Sequence, residues 1–428
     1  MLSTTPATDF NTSLEYARGL DARDPLAGLR AEYHMPRTPA GGEYIYLTGN
    51  SLGLEPKGVR AAVEQELLDW AELGVEGHFE ARNPWYSYHE RFTEPAARLV
   101  GALPGEVVVM NTLTTNLHLM MVSFYRPTPE RHTIVIEASA FPSDLYAVDS
   151  QVRFHGYDPA TAVIGLRPRE GESMIRTEDI EALLAEKGSQ VALVMLGGVN
   201  FYSGQAFDMN RVTAAAHAAG AVVGFDLAHA AGNLVMQLHD WDVDFAVWCT
   251  YKYLNSGPGG VSGCFVHERH AFDPKLPRFA GWWGNDPSTR FGMSAEFVPQ
   301  RGAGGWQLSN AQILPMAVHA VALEIFDRVG MAALREKSEL LTGYLENLLG
   351  ADRGAGYEII TPANPAERGC QLSIRVHDDA KRLGEQLKEI GVIADYRPPD
   401  VIRVAPVPMY NSFVDVWGFV EKLRGLSR

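Results

Sequence analysis

The sequence predicts an α/β protein: a mostly parallel central sheet with helices on both faces, followed by a smaller α+β C-terminal domain. Short apolar runs rich in β-branched residues recur at Val107–Met110, Ile134–Ile136, Val191–Leu196 and Ala221–Phe225. Helical segments at Asn116–Phe124 and Asn210–Ala219 follow two of them, and continuous apolar strands separated by helices mean a sheet covered on both sides. Beyond residue 309 two long helices lead into short strands around a single helix, a different rhythm.

Taken in order, Tyr44–Leu47 is strand-like, and Pro56 opens a helix that places Val59, Val63, Leu67 and Trp70 on one face. A further apolar strand, Phe245–Cys249, precedes Lys252. The tract from Arg278 to Gly305, rich in Gly, Trp and Arg, is a long ordered loop. Helices at Ser309–Val329 and Met331–Leu349 precede strands at Tyr357–Ile360, Gln371–Val376 and Val401–Val404 and a helix at Asp379–Ile390. The expected division is an N-terminal segment (1–54) packing with the small domain and the active site, a large domain (55–308), and connecting helices with the small domain (309–428).

Composition narrows the function. The 428 residues carry 37 Lys and Arg against 52 Asp and Glu, a net charge of -15, which repels phosphate backbones and argues against nucleic acid. The opening MLSTTPATDF lacks a basic, then apolar leader pattern, and no apolar run is long enough for a membrane helix, so a cytoplasmic protein is expected. Cys249, Cys264 and Cys370 lie in or beside apolar runs without CxxC spacing, as reduced core residues do.

The main chemical constellation is GFDLAH (224–229) with CTYKY (249–253). Ligands of such sheets bind at the carboxyl ends of the strands. Asp226 stands at one strand end and Lys252 follows another, between aromatic neighbours. A partly desolvated lysine forms an imine with an aldehyde, and a carboxylate opposite keeps a pyridine nitrogen protonated, the arrangement pyridoxal 5'-phosphate requires. Alone, either residue is more often a surface lysine or a capping aspartate; the shared sheet edge favours the chemical reading. Asn111–Asn116 opens a helix directly after a strand, suited either to N-capping by Thr112 or Thr114 or to a phosphate. Phe141-Pro142-Ser143-Asp144 ends the following strand, where an aromatic ring could cover a cofactor.

Other patterns mimic function. Gly49-Asn50-Ser51-Leu52-Gly53 matches the GxSxG elbow of serine hydrolases, but Pro56 and Gly58 delay the helix the elbow needs. Asp240, Asp242 and Asp244 start like a calcium loop, yet its sixth and twelfth positions are Phe245 and Tyr251. Gly257, Gly259, Gly260 and Gly263 lack dinucleotide-fingerprint spacing, and the 13 histidines form no metal-ligand grouping, so no metal is expected.

The stretches YLTGNSLGLEPK, MNTLTTNLHLMM, AFPSDLYA, VGFDLAHAAGN, LHDWDVDFAVWCTYKYLNSGPGG, GWWGNDPSTRF, QLSN and IRVAPVPMYNSF, spanning residues 44 to 413, resemble the kynureninase family. That family is a fold-type-I pyridoxal-phosphate group on the aminotransferase class V branch. The resemblance implies hydrolysis of L-kynurenine or 3-hydroxy-L-kynurenine to L-alanine and anthranilate or 3-hydroxyanthranilate, in tryptophan breakdown or nicotinamide-precursor supply. Under it, Lys252 holds the cofactor and shuttles the α-proton, while Asp226 pairs with the ring nitrogen and Asp144 and His229 also touch the cofactor. Phe141 stacks on the ring, and Leu113, Thr114 and Tyr251 meet the phosphate. Tyr251 is also the expected acid–base group. Trp282 and Ser309-Asn310 would come from the second subunit of a homodimer. Arg403 would clamp the substrate α-carboxylate, with Ser51, His78 and Trp283 around its aromatic ring. His78 and Asn310 match the branch favouring the 3-hydroxylated substrate, whereas Trp283 and Gly197 depart from it. The rival readings are a cysteine desulfurase or aminotransferase of the same class, a cofactor-binding regulator, and a serine hydrolase at Ser51.

Overall fold

Seven strands form the central sheet of the computed structural model, which describes residues 10–351 and 356–426. They are β1 (Val107–Met110), β2 (Thr133–Glu137), β3 (Val163–Leu166), β4 (Val191–Gly197), β5 (Val222–Asp226), β6 (Phe245–Cys249) and β7 (Ser262–Val266). Their spatial order is β1-β7-β6-β5-β4-β2-β3, with β7 alone antiparallel to its neighbours. Every residue of β1, β2, β6 and β7 is buried, as befits strands with helices on both faces.

The parallel register aligns three strand ends. Gly197 pairs with Asp226 and Asp226 with Val247, so the carboxyl ends of β4, β5 and β6 lie side by side. Glu137 ends β2 on the same edge. The strand therefore stops before Phe141, correcting the expectation that Phe141 to Asp144 ends it. Phe141 instead caps the helix Pro142–Phe154, whose first turn accepts a proline because that position needs no N–H. Strand β3 was not anticipated, and β7 corresponds to the apolar run around Cys264. In β7 a glycine interrupts the apolar pattern because the Trp248 ring lies where a Gly263 side chain would stand.

The smaller sheet is antiparallel, in the order Asp395–Arg397, Val401–Val404, Leu372–Val376, Tyr357–Ile359. Its core includes side chains from the helices Met331–Gly350, Ala380–Glu389 and Phe413–Leu426. The N-terminal helix Leu14–Asp21 packs on Phe413–Leu426, and Ile45–Tyr46 pairs with Val392–Ile393. In the tract from Arg278 to Gly305 the only helical elements are short 3-10 turns, with Arg278 stacked 3.8 Å above the Trp306 ring.

The helix Val59–Leu73 departs from the simple amphipathic picture. Trp70 is 63% exposed and Leu67 and Leu68 are exposed too, while the buried residues are Glu66 and Asp69. Glu66 is satisfied there by the Trp85 indole N–H (2.9 Å), the Tyr88 hydroxyl (2.9 Å) and the Asn83 amide (3.2 Å).

Candidate active site

The sheet edge and the loops beyond it enclose a cavity of about 110 Å³, lined by Leu113, Thr114, Phe141, Asp144, Asp226, His229, Tyr251 and Lys252 among others. Local structure explains the convergence. Asn111 leaves β1 with a left-handed φ of 48°, and its amide bonds Asn116 Oδ1 at 3.0 Å while the Asn116 amide bonds the Met110 carbonyl. This turn aims the start of helix Leu113–Phe124 at the cavity. Thr112 occupies the cap position without a side-chain cap bond, and the Thr114 hydroxyl instead meets Ser143 Oγ at 2.9 Å. The helix therefore offers free N–H groups and a dipole suited to an anion.

Lys252 Nζ stands 3.1 Å from His229 Nε2 and 5.7 Å from the Phe141 ring centre. Asp226 accepts the Ala228 N–H at 2.7 Å. Burial raises the pKa of both Asp226 and Asp144, and the Asp226 charge adds to the rise at Asp144, while Lys252 and the Ala228 N–H oppose it at Asp226. Burial, then the Lys252 charge, holds His229 well below the usual imidazole range. Burial pushes the Tyr251 phenol up, so it keeps its proton.

A third carboxyl, Glu137, lines the same cavity and accepts the Gly197 N–H at 3.1 Å. Burial pushes it up to about 7. Sequence reading missed it, although TIVIE ends in an acid just as VVGFD does. Asn200 and Phe201 also line the cavity without having been anticipated.

The remaining expected residues do not line it. Ser51 lies in a turn closed by its N–H on the Thr48 carbonyl, and Gly53 of that loop donates to the Tyr251 carbonyl at 2.8 Å. The following helix begins only at Val59, so Ser51 is on no nucleophile elbow. His78 is half-buried, its ring 5.5 Å from Trp85. Trp283 is buried between Tyr86 (5.4 Å) and the Arg290 guanidinium (4.5 Å), and Trp282 is 47% exposed. Asn310 is exposed. Arg403 is buried, pairs with Asp395 and donates to the Phe201 carbonyl at 2.7 Å, which connects it to the cavity wall. Cys249, Cys264 and Cys370 are all buried free thiols with raised pKa values, Cys249 at about 11, the opposite of what a persulfide-forming cysteine needs. Asp244 of the calcium-like run is spent on His217, His270, Arg269 and the Val223 N–H.

Solved structures of the same shape include a cysteine desulfurase from Thermococcus onnurineus NA1, at a TM-score of 0.76 and 18% identity over 94% of this chain and 98% of that one. Cysteine desulfurase CsdA from Escherichia coli gives 0.74 and 19%, over 93% and 97%. The fold is thus that of the fold-type-I pyridoxal-phosphate enzymes. At the level of sequence, the kynureninase C-terminal domain family matches residues 334–423. Kynureninase from Koribacter versatilis is 58% identical over 416 residues, 97% of this chain and 98% of the relative. Kynureninase from Myxococcus xanthus is 58% identical over 419 residues, 98% of each. The chain belongs to the kynureninase family and is an enzyme of that activity.

Proposed function

We propose that the cavity beside Lys252 binds pyridoxal 5'-phosphate and that the residues around it hydrolyse the β–γ carbon bond of L-kynurenine and 3-hydroxy-L-kynurenine, releasing L-alanine and the corresponding anthranilate. The observation that carries this is placement: Lys252 and Asp226 line one buried cavity, beside the start of helix Leu113–Phe124 and the Phe141 ring. Asp144 Oδ1 and His229 Nδ1 are buried without partners, polar atoms that such a ligand satisfies. In this reading Leu113 and Thr114 hold the phosphate at the helix start, with Tyr251 beside it, and Phe141 covers the ring.

When bound, the cofactor supplies an electron sink for the substrate α-carbon. The chain does the rest. Arg403 binds the α-carboxylate through its guanidinium fork. Lys252 Nζ removes the α-proton. Asp226 keeps the ring nitrogen protonated. The Tyr251 phenol, protonated at neutral pH, passes its proton toward the γ-carbonyl side as water adds there. Replacing Lys252 by alanine should abolish both the visible absorption of the bound cofactor's imine and anthranilate formation; retention of that band would overturn the proposal.

The active enzyme is, on this reading, a cytoplasmic homodimer. Exposed Leu67, Leu68, Trp70, Val75 and Phe79 support it, as does an open groove of about 780 Å³ whose lining includes Val59, Val63, Leu314 and Val318. So does the position of Trp282 and Asn310 at the surface, away from this chain's own cavity. Trp282 and Asn310 then complete the partner's cofactor site, while Ser51, His78, Trp283 and Asn310 form the pocket for the aromatic ring, favouring the 3-hydroxylated substrate. The N-terminal segment (1–54) serves with the small domain (309–428), and residues 55–308 form the cofactor domain. Mixed dimers of Lys252→Ala and Asn310→Ala chains should recover part of the activity that each lacks. A kcat/KM favouring plain kynurenine would reverse the substrate preference.

A further inference from the structure

We infer that Glu137 is a positioning residue of the reaction, a third carboxyl that ties the cofactor cavity to the loop holding Arg403 and sets the charge beside Asp226. This rests on the cofactor reading above.

The connection runs through short bonds. Glu137 ends β2 and is buried. It accepts the Gly197 N–H at 3.1 Å, and the Asn200 side chain is near enough to lower its pKa. Asn200 Oδ1 accepts the N–H groups of Tyr202 (3.0 Å) and Ser203 (2.9 Å), so Glu137 holds the start of the turn beyond β4 at Gly197 and Asn200 shapes the rest. That turn presents the Phe201 carbonyl to Arg403 Nη1 at 2.7 Å and to the Gln371 amide at 3.1 Å. It also sets the Phe201 ring edge-on to Phe141, 5.3 Å between centres. On the other side the Gly198 N–H holds the Asp226 carbonyl at 2.8 Å. One side chain thus links the carboxylate that meets the ring to the arginine that meets the substrate.

The groups facing Glu137 across the cavity are Asp144 from helix Pro142–Phe154, Asp226 from β5, and His229, Tyr251 and Lys252 from the loops after β5 and β6. Burial is the largest influence on Glu137 and the Asp226 charge adds to it, while the Gly197 N–H and the nearby Asn200 side chain oppose them. The result is a carboxyl that gains its charge near neutrality, inside the site, as a second negative charge close to Asp226.

The test is a pH titration of the holoenzyme's visible absorption without substrate, for wild type, Glu137→Gln and Glu137→Asp. Removing a negative charge beside Asp226 disfavours the protonated cofactor, so Glu137→Gln should lower the midpoint by about half a unit or more. Glu137→Asp, which keeps the charge, should restore it. Because the Phe201 carbonyl of that turn holds Arg403, KM should rise several-fold more than kcat falls in Glu137→Gln. A Glu137→Gln midpoint equal to wild type would overturn the assignment. Should that variant fail to fold, infrared spectra of wild type labelled with 13C-carboxyl glutamate decide. A protonated glutamic acid band present at pH 6 and lost by pH 8 supports the inference, and its absence at pH 6 refutes it. The infrared readout needs no cofactor, so a wild type that binds no pyridoxal phosphate would sink the cofactor reading separately.

Discussion

Lys252 Nζ lies 3.1 Å from His229 Nε2, and the imidazole is held neutral by burial and by that ammonium. A neutral ring that accepts at Nε2 carries its proton on Nδ1, which is buried without a partner. An unmet buried donor costs about 1–3 kcal/mol. A ligand oxygen that accepts it recovers that energy. Replacing His229 by alanine should therefore weaken pyridoxal-phosphate binding to the apoprotein by about tenfold to a hundredfold. Titration of the apoprotein by absorbance measures this, and an unchanged dissociation constant would show that His229 does not touch the ligand.

Tyr251 shows the same economy of environment. Burial raises its pKa, and the Cys249 side chain beside it raises it further. The hydroxyl is thus a donor across the physiological range, so Tyr251→Phe should keep the cofactor's absorption and lower kcat by about a hundredfold or more. Turnover and a pH profile equal to wild type would remove Tyr251 from the proton path.

Arg403 is engaged before substrate arrives. Asp395 pairs with it and also with Arg397 at 3.0 Å, while Arg403 Nε has no partner. A lysine cannot present two parallel N–H groups from one plane. Arg403→Lys should therefore reduce kcat/KM by about tenfold to a hundredfold, chiefly through KM. Equal KM values in steady-state kinetics would place the substrate carboxylate elsewhere.

Much of this was legible in the sequence because it depends on local strand grammar. Asp226 and Lys252 each follow a continuous apolar run, and the parallel register then sets both at one edge. What escaped notice depends on partners distant in the chain. Glu137 acquires its character from burial and from neighbours such as Gly197, some 60 residues on. Glu66 turns inward because Trp85 and Tyr88 supply donors, which leaves Leu67 and Trp70 of its helix facing out. Periodicity identifies an apolar face without saying what covers it. Strand β3 reads weakly because it is an edge strand, with three of its four residues incompletely buried.

Asp244, at the opposite end of the sheet, separates stability from catalysis. It accepts His217 Nε2 (2.9 Å), His270 Nε2 (2.7 Å), the Val223 N–H (2.7 Å) and Arg269, and these donors hold its carboxyl far below the usual range despite burial. Asp244→Asn leaves Arg269 and the histidines facing a neutral amide, at a cost of about 3–5 kcal/mol. Thermal unfolding should show a drop of several degrees while kcat of the folded fraction stays at the wild-type value. A simultaneous loss of kcat would mean that this network reaches the active site.

Acid sensitivity should trace in part to His319. Its ring is fully buried, stacks on Phe92 at 5.3 Å and bonds Ser256 Oγ at 2.8 Å, and burial lowers its pKa to about 3. The unfolded chain binds a proton at about pH 6.5 and the folded chain does not, so the stabilisation is complete above that pH and is lost as pH falls. Between pH 6.5 and 5 the loss from this one residue is about 2 kcal/mol. Glu137 and Asp144 act in the opposite sense, since their raised pKa values favour the folded state as pH falls. The informative quantity is therefore the slope difference between wild type and His319→Gln. Urea unfolding at pH 7 and pH 5 should show a lower stability for the variant at pH 7 but a smaller decline, or a larger gain, toward pH 5. Parallel slopes would mean that the ring accepts a proton without unfolding the chain around it.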